Sequence, residues 1–147
     1  MLKKNIIITT LALITSACAS TAGPDPYQQS VELAADKISP SNQKAYFACK
    51  FERRATECLQ KIWATHPKPE LSRKLTRETL PDFLSAVELR GAGLIVSEEG
   101  KHTCGKPKDV SGLFWNRGYD VTCADGQHFI VSREDNQWRV TKAPSKE

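Results

Sequence analysis

Reactive side chains are few in this sequence, and they cluster. His102-x-Cys104 and Cys123-x4-His128 offer two sulfurs and two imidazoles. Two Cys and two His form a tetrahedral zinc set. The competing chemistry is a Cys104–Cys123 disulfide with two exposed strand histidines. An oxidising compartment favours that one, so no metal and no cofactor is expected. Cys49 and Cys58 lack the Cys-x-x-Cys spacing of a redox motif. Gly-x-Ser-x-Gly is absent, no Ser-His-Asp or Cys-His constellation stands out, and Ser111-Gly112 reads as turn chemistry. Asp120 and Asp125 flank a strand, where carboxylates face solvent or bond a turn backbone. A glycosidase pair is therefore unsupported, and the chain is expected not to be an enzyme.

Binding chemistry is better represented. Phe114-Trp115-Asn116-Arg117-Gly118 places two adjacent aromatics beside an arginine. These residue types anchor protein interfaces, although one ring also suits a core between sheet and helix. Cys49–Glu78 carries eight basic against four acidic side chains. Arg53 and Arg54 lead that basic run. It reads either as a solvated helix face or as a contact for an acidic protein partner or for other phosphates and carboxylates.

The elements that must position these groups follow from periodicity. Tyr27–Ile38 has mixed helical spacing and ends at Ser39-Pro40. Ser41 or Asn42 can cap the next helix. There Phe47, Phe51, Ala55, Cys58, Leu59, Ile62 and Trp63 recur at three- and four-residue steps, an amphipathic stripe stopped by His66-Pro67. Glu70–Thr79 is weakly periodic. Pro81 begins a compact helix with Phe83, Leu84, Val87 and Leu89, and Gly91 is placed as its C′ residue. Gly93–Val96 begins a β reading. Gly105–Asn116 reads as a loop. Tyr119, Val121 and Cys123 alternate, Ala124-Asp125-Gly126 turns the chain, and Phe129 and Val131 alternate. Arg133–Asn136 turns again before a last strand with Trp138 and Val140. Helices first and a β-meander after argue an α+β fold: N-terminal helices packed on a small C-terminal antiparallel meander, stapled by disulfides.

The chain has 147 residues, 39% hydrophobic and 26% charged, a composition of soluble globular proteins. Its first residues look different. Lys3 and Lys4 precede an apolar stretch, Asn5–Ile14, too short for the roughly 20 residues that span a bilayer. It has the dimensions of a signal-peptide core. Thr15-Ser16-Ala17-Cys18 then resembles the lipobox of bacterial lipoproteins, with Thr15 where Leu is usual. The resemblance implies removal of residues 1–17 and acyl chains on Cys18. In that family's sorting pattern, Ala19 and Ser20 favour the outer membrane, periplasmic side. Residues 18–26 read as a flexible tether and 27–147 as one domain. Without Lys3 and Lys4 the formal charge falls from +4 to +2, which argues against nucleic acid or strong anionic-lipid binding.

With Cys18 lipidated, four cysteines remain for two disulfides. Cys104–Cys123 is the favoured pair. For Cys49 and Cys58, nine residues of unbroken helix span about 13.5 Å, whereas a disulfide needs Cα atoms within about 7 Å. Either the helix starts after Cys49 or breaks, and they pair, or it is continuous and each reaches the β region separately. The local pair is preferred slightly. The expected function is a lipid-anchored outer-membrane lipoprotein acting as a non-catalytic interaction or assembly factor of an envelope complex, with a protein partner. The alternative is an inhibitor or immunity protein against a cell-wall hydrolase. Ser111-Gly112-Leu113-Phe114 resembles the Ser-Gly loop of periplasmic lysozyme inhibitors, without their Tyr.

Overall fold

The computed structural model describes residues 23, 25–65, 80–113 and 118–144. The signal-like segment with Cys18, residues 66–79 with the His66-Pro67 stop and the weakly periodic stretch, and residues 114–117 lie outside them. Among the described residues, helices come first: α1 (Pro26–Asp36), α2 (Pro40–Ala48), a 3-10 turn (Cys49–Phe51), α3 (Ala55–Thr65) and α4 (Leu80–Glu98). A four-stranded antiparallel sheet follows: β1 (Pro107–Gly112), β2 (Tyr119–Cys123), β3 (His128–Glu134) and β4 (Gln137–Lys142), in the order β1-β2-β3-β4. The fold is α+β, helices first and meander second.

Capping explains the first two helices. Asp25 accepts from the Tyr27 N–H, Pro26 sits in the first turn, and α1 thus takes in the last residue assigned to the tether. Ser39, not Ser41 or Asn42, caps α2, accepting from the Asn42 N–H with Pro40 in the first turn.

The Phe47–Trp63 stripe is not one helix. The chain tightens into the 3-10 turn and goes extended at Glu52 (φ −84°, ψ 144°) before α3 begins. That break brings the Cα atoms of Cys49 and Cys58 to 5.5 Å, and the two are joined. It also divides the stripe. Phe47 and Phe51 turn to the sheet, while Leu59, Ile62 and Trp63 turn to a second, helical core around Phe83.

Helix α4 corrects two expectations. It does not stop at Gly91, and Gly93–Val96 is helical, not β. Gly is unfavourable inside a helix by about 1 kcal/mol, so two there need a reason, and close packing supplies it. A Cβ on Gly91 would lie 2.7 Å from the Gln43 carbonyl carbon and 2.9 Å from Phe47 Cβ. One on Gly93 would lie 2.7 Å from Pro107 Cδ. The glycines mark where α2 and the start of β1 press on α4. Gly91→Ala is therefore expected to destabilise despite its better helix propensity, by about 1–2 kcal/mol after overpacking is set against propensity. A thermal melt at or above the wild-type Tm would refute the close crossing.

α4 serves both cores. Its first half gives Phe83, Ala86 and Val87 to the core shared with α1 and Tyr46; its second half gives Ala92, Ile95 and Val96 to the core under Val121 and Phe129. The Tyr46 hydroxyl is buried without a partner, and burial pushes its pKa up to about 12.

β1 lies inside the segment read as a loop, and Ser111-Gly112 is strand, paired with Asp120 and Tyr119. Lys108-Asp109-Val110-Ser111 shows one apolar residue, so no period of two was visible in it. Val110 opposite Val121 turns that residue to the core. The β2–β3 hairpin turns at Ala124–Gly126, with Gly126 at φ +84°. The β3–β4 hairpin is tighter than expected: Arg133 and Glu134 stay in β3, and Asp135 and Asn136 alone make the turn, both with positive φ.

Candidate functional site

The break between α2 and α3 makes a cleft. Lys50, Phe51, Glu52 and Arg53, on the kinked segment held by Cys49–Cys58, form one wall. Gly112 and Leu113 at the end of β1, Gly118 and Tyr119 at the start of β2, and Arg133 of β3 form the other. The volume is about 550 Å³, within the usual range for ligand sites. Gly118 has φ +139°, and a Cβ there would meet the Val131 carbonyl oxygen at 2.5 Å. The backbones of β2 and β3 are thus drawn together at the cleft.

Phe51 and Tyr119 form its base, backed by Phe47 and Trp138. Phe51 packs edge-on to Tyr119 (centroids 5.2 Å) and Trp138 (5.3 Å), and Phe47 stacks on Trp138 at 5.8 Å. Two cations lie on these rings. Lys50 Nζ is 5.4 Å from the Tyr119 centroid and 2.6 Å from Glu88 Oε2. The Arg133 guanidinium is 5.0 Å from the Trp138 centroid, with one terminal nitrogen 3.6 Å from Glu52 Oε1. Arg133 Nε is buried with no hydrogen-bond partner. An unmet buried donor costs about 1–3 kcal/mol, more when charged. Arg53 is exposed and has no ion pair among the described residues. Among the described residues that line it, the cleft therefore holds cations in excess over one carboxylate, Glu52.

No known family model matches the chain, and no curated protein or solved structure is detectably similar. What the site can do must be read from its geometry.

Of the residues singled out for interaction, Arg53 lines the cleft. Arg54 stands just before α3, pairs with Glu57 at 3.2 Å, and lines a shallow neighbouring groove with Arg53 and Lys61. Phe114, Trp115 and Arg117 lie outside the described residues. The described residues on either side of them are bonded, Leu113 N–H donating to the Gly118 carbonyl at 3.0 Å.

The zinc alternative loses its sulfurs: Cys104 and Cys123 are joined, with Cα atoms 5.2 Å apart. The histidines are half-buried, not exposed, and they diverge. His102 lies before β1, its ring 4.7 Å from Phe129. His128 lies on the other face of the sheet, with Nδ1 3.1 Å from Asp120 Oδ1 and 3.2 Å from Thr122 Oγ1. Among the described residues no three metal-binding side chains converge.

Asp120 departs from expectation. It is buried, whereas Asp125 bonds the turn at Gln127 as its type predicts. Asp120, His128 and Thr122 look like a hydrolytic triad but are not arranged as one. Acid and hydroxyl meet the same ring nitrogen, whereas a relay needs the acid on one nitrogen and the nucleophile on the other.

Arg133 and Tyr119 were missed as site residues. The available signal was the alternation Phe129, Val131, Arg133, which puts a cation at a core-facing strand position.

Proposed function

We propose that this chain is a non-catalytic interaction protein of a bacterial envelope, held to the periplasmic side of the outer membrane by acyl chains on Cys18 and docking an envelope protein through the Arg53–Arg133 cleft. The observation that carries this reading is the character of the cleft: cations over an aromatic base, with no nucleophile–base pair among its described residues. Such a surface suits recognition, since Arg and aromatic side chains concentrate binding energy at interfaces. The anchor rests on the lipobox resemblance. Several acyl chains together hold a domain firmly at a membrane, where one chain binds marginally.

Two measurements test it. Cells grown with labelled palmitate should label the wild-type chain, and Cys18→Ala should abolish the label and release the protein from membranes. Cross-linking the full chain in isolated envelopes should yield a discrete adduct that Arg53→Gln weakens. An unlabelled wild-type chain, or an adduct indifferent to the cleft, would defeat the corresponding half. Should the adduct be a muramidase or amidase whose activity the chain suppresses, the inhibitor reading replaces the assembly one.

A further inference from the structure

We infer that the cleft recognises a carboxylate on an acidic, extended segment of the partner protein, and that Glu52 occupies the place of that carboxylate when no partner is bound. This rests on the interaction reading above and adds the chemistry of what is recognised.

Three features lead here. First, Arg133 is half used. One terminal nitrogen reaches Glu52 at 3.6 Å, too long for a good hydrogen bond, and buried Nε has none. Guanidinium and carboxylate are matched in shape for two parallel bonds. Trp138 already holds the guanidinium plane at 5.0 Å. Second, the charges do not balance. Lys50 is committed to Glu88 at 2.6 Å, so Arg53 and Arg133 face a single carboxylate. That carboxylate belongs to a half-exposed residue on extended backbone, free of any helix. It is well placed to be displaced. Third, Gly112 ends the edge strand β1 and lines the cleft beside Leu113, whose own N–H is already bonded to Gly118. A sheet edge has main-chain groups with no neighbouring strand and accepts extended peptide. A protein segment uses both the cations and that edge, while a free anion uses only the cations.

The test uses the full chain in non-ionic detergent, with amide NMR shifts as readout. The probes are acetylated, amidated hexaglutamate, the matching hexaglutamine, and inorganic phosphate. Hexaglutamate should shift the amides of Lys50–Arg53, Leu113 and Tyr119, and hexaglutamine should not. Arg53→Gln, a change at an exposed position, should weaken binding at least fivefold. Glu52→Gln should tighten it at least threefold, because it removes the internal competitor; a merely structural Glu52 would not give that result. Arg54→Gln should change affinity less than twofold. Shifts elsewhere, no binding, unaltered affinity in Glu52→Gln, or phosphate matching the peptide's affinity would each overturn the inference. If hexaglutamate fails while cross-linking still depends on Arg53, the interaction reading survives without this chemistry. If hexaglutamate binds and no envelope adduct forms, the cleft chemistry survives and the interaction reading fails.

Discussion

Replacing Arg90 with alanine should cost about 3 kcal/mol and lower Tm by about 10 °C or more. Arg90 lies on the side of α4 that meets α1, with its side chain 9% exposed. Its Nε donates to Asp36 at 2.6 Å, and one terminal nitrogen donates to the Glu32 carboxylate at 2.6 Å and to the Glu32 carbonyl at 3.1 Å. The other donates to the Ala86 carbonyl at 2.9 Å. Lys106, just before β1, bonds the same Glu32 carboxylate. One guanidinium thus ties α1 to α4, and Glu32 ties both to the sheet. Removing one partner of a buried pair costs about 3–5 kcal/mol. The low end applies because Asp36 is 61% exposed and can be rehydrated. Arg90→Lys should recover little, since an ammonium cannot span the same fork. A calorimetric melt of Arg90→Ala within about 2 °C of wild type would refute the clamp.

The clamp has a pH signature. Burial alone would raise the Glu32 pKa, but the bonds from Lys106 and Arg90 outweigh it, and the net shift is downward. A carboxyl lowered in the folded state stabilises above its unfolded pKa, and that contribution fades as pH falls through the folded value. Stability from this network should therefore hold through neutral pH and decline below the ordinary glutamate range. Glu32→Gln should flatten that part of the acid limb.

The second large effect is redox. Cys49–Cys58 and Cys104–Cys123 close chain separations of 9 and 19 residues, each worth about 3 kcal/mol by loop entropy. Reducing both should remove about 6 kcal/mol, comparable to the whole stability of many domains. In strong reductant the chain should melt near or below 37 °C. Of the paired alanine variants, Cys104/Cys123 should lose slightly more than Cys49/Cys58, and only the latter should also disturb the cleft. Equal melting with and without reductant would refute this.

The sequence made the class of fold legible because alternation at Tyr119–Cys123 and Phe129–Val131 and the helical spacing before it are local signals. It hid what depends on distant contacts. Gly91 carries the signature of a helix end, and only its contact with Gln43 and Phe47 shows why the helix runs on. The Phe47–Trp63 spacing is helical throughout, but its two halves face different cores. The cysteine geometry exposed that conflict in advance. β1 was hidden because an edge strand with one inward apolar residue has no period to detect. At the cleft, Arg53 was visible as part of a basic run. Arg133 was not, because its role comes from lying across the cleft from Glu52 and against Trp138.

The two disulfides have one more consequence, in the timing of their formation. Both join cysteines that are consecutive among Cys49, Cys58, Cys104 and Cys123. As the chain emerges from its N-terminus, Cys58 meets Cys49 while α4 and the sheet have yet to appear. Cys104 then emerges with Cys49 and Cys58 already joined to each other, and its partner Cys123 follows 19 residues later. An oxidant that acts on each pair as it arrives makes the native bridges in order. Bridges made in that order need no reshuffling.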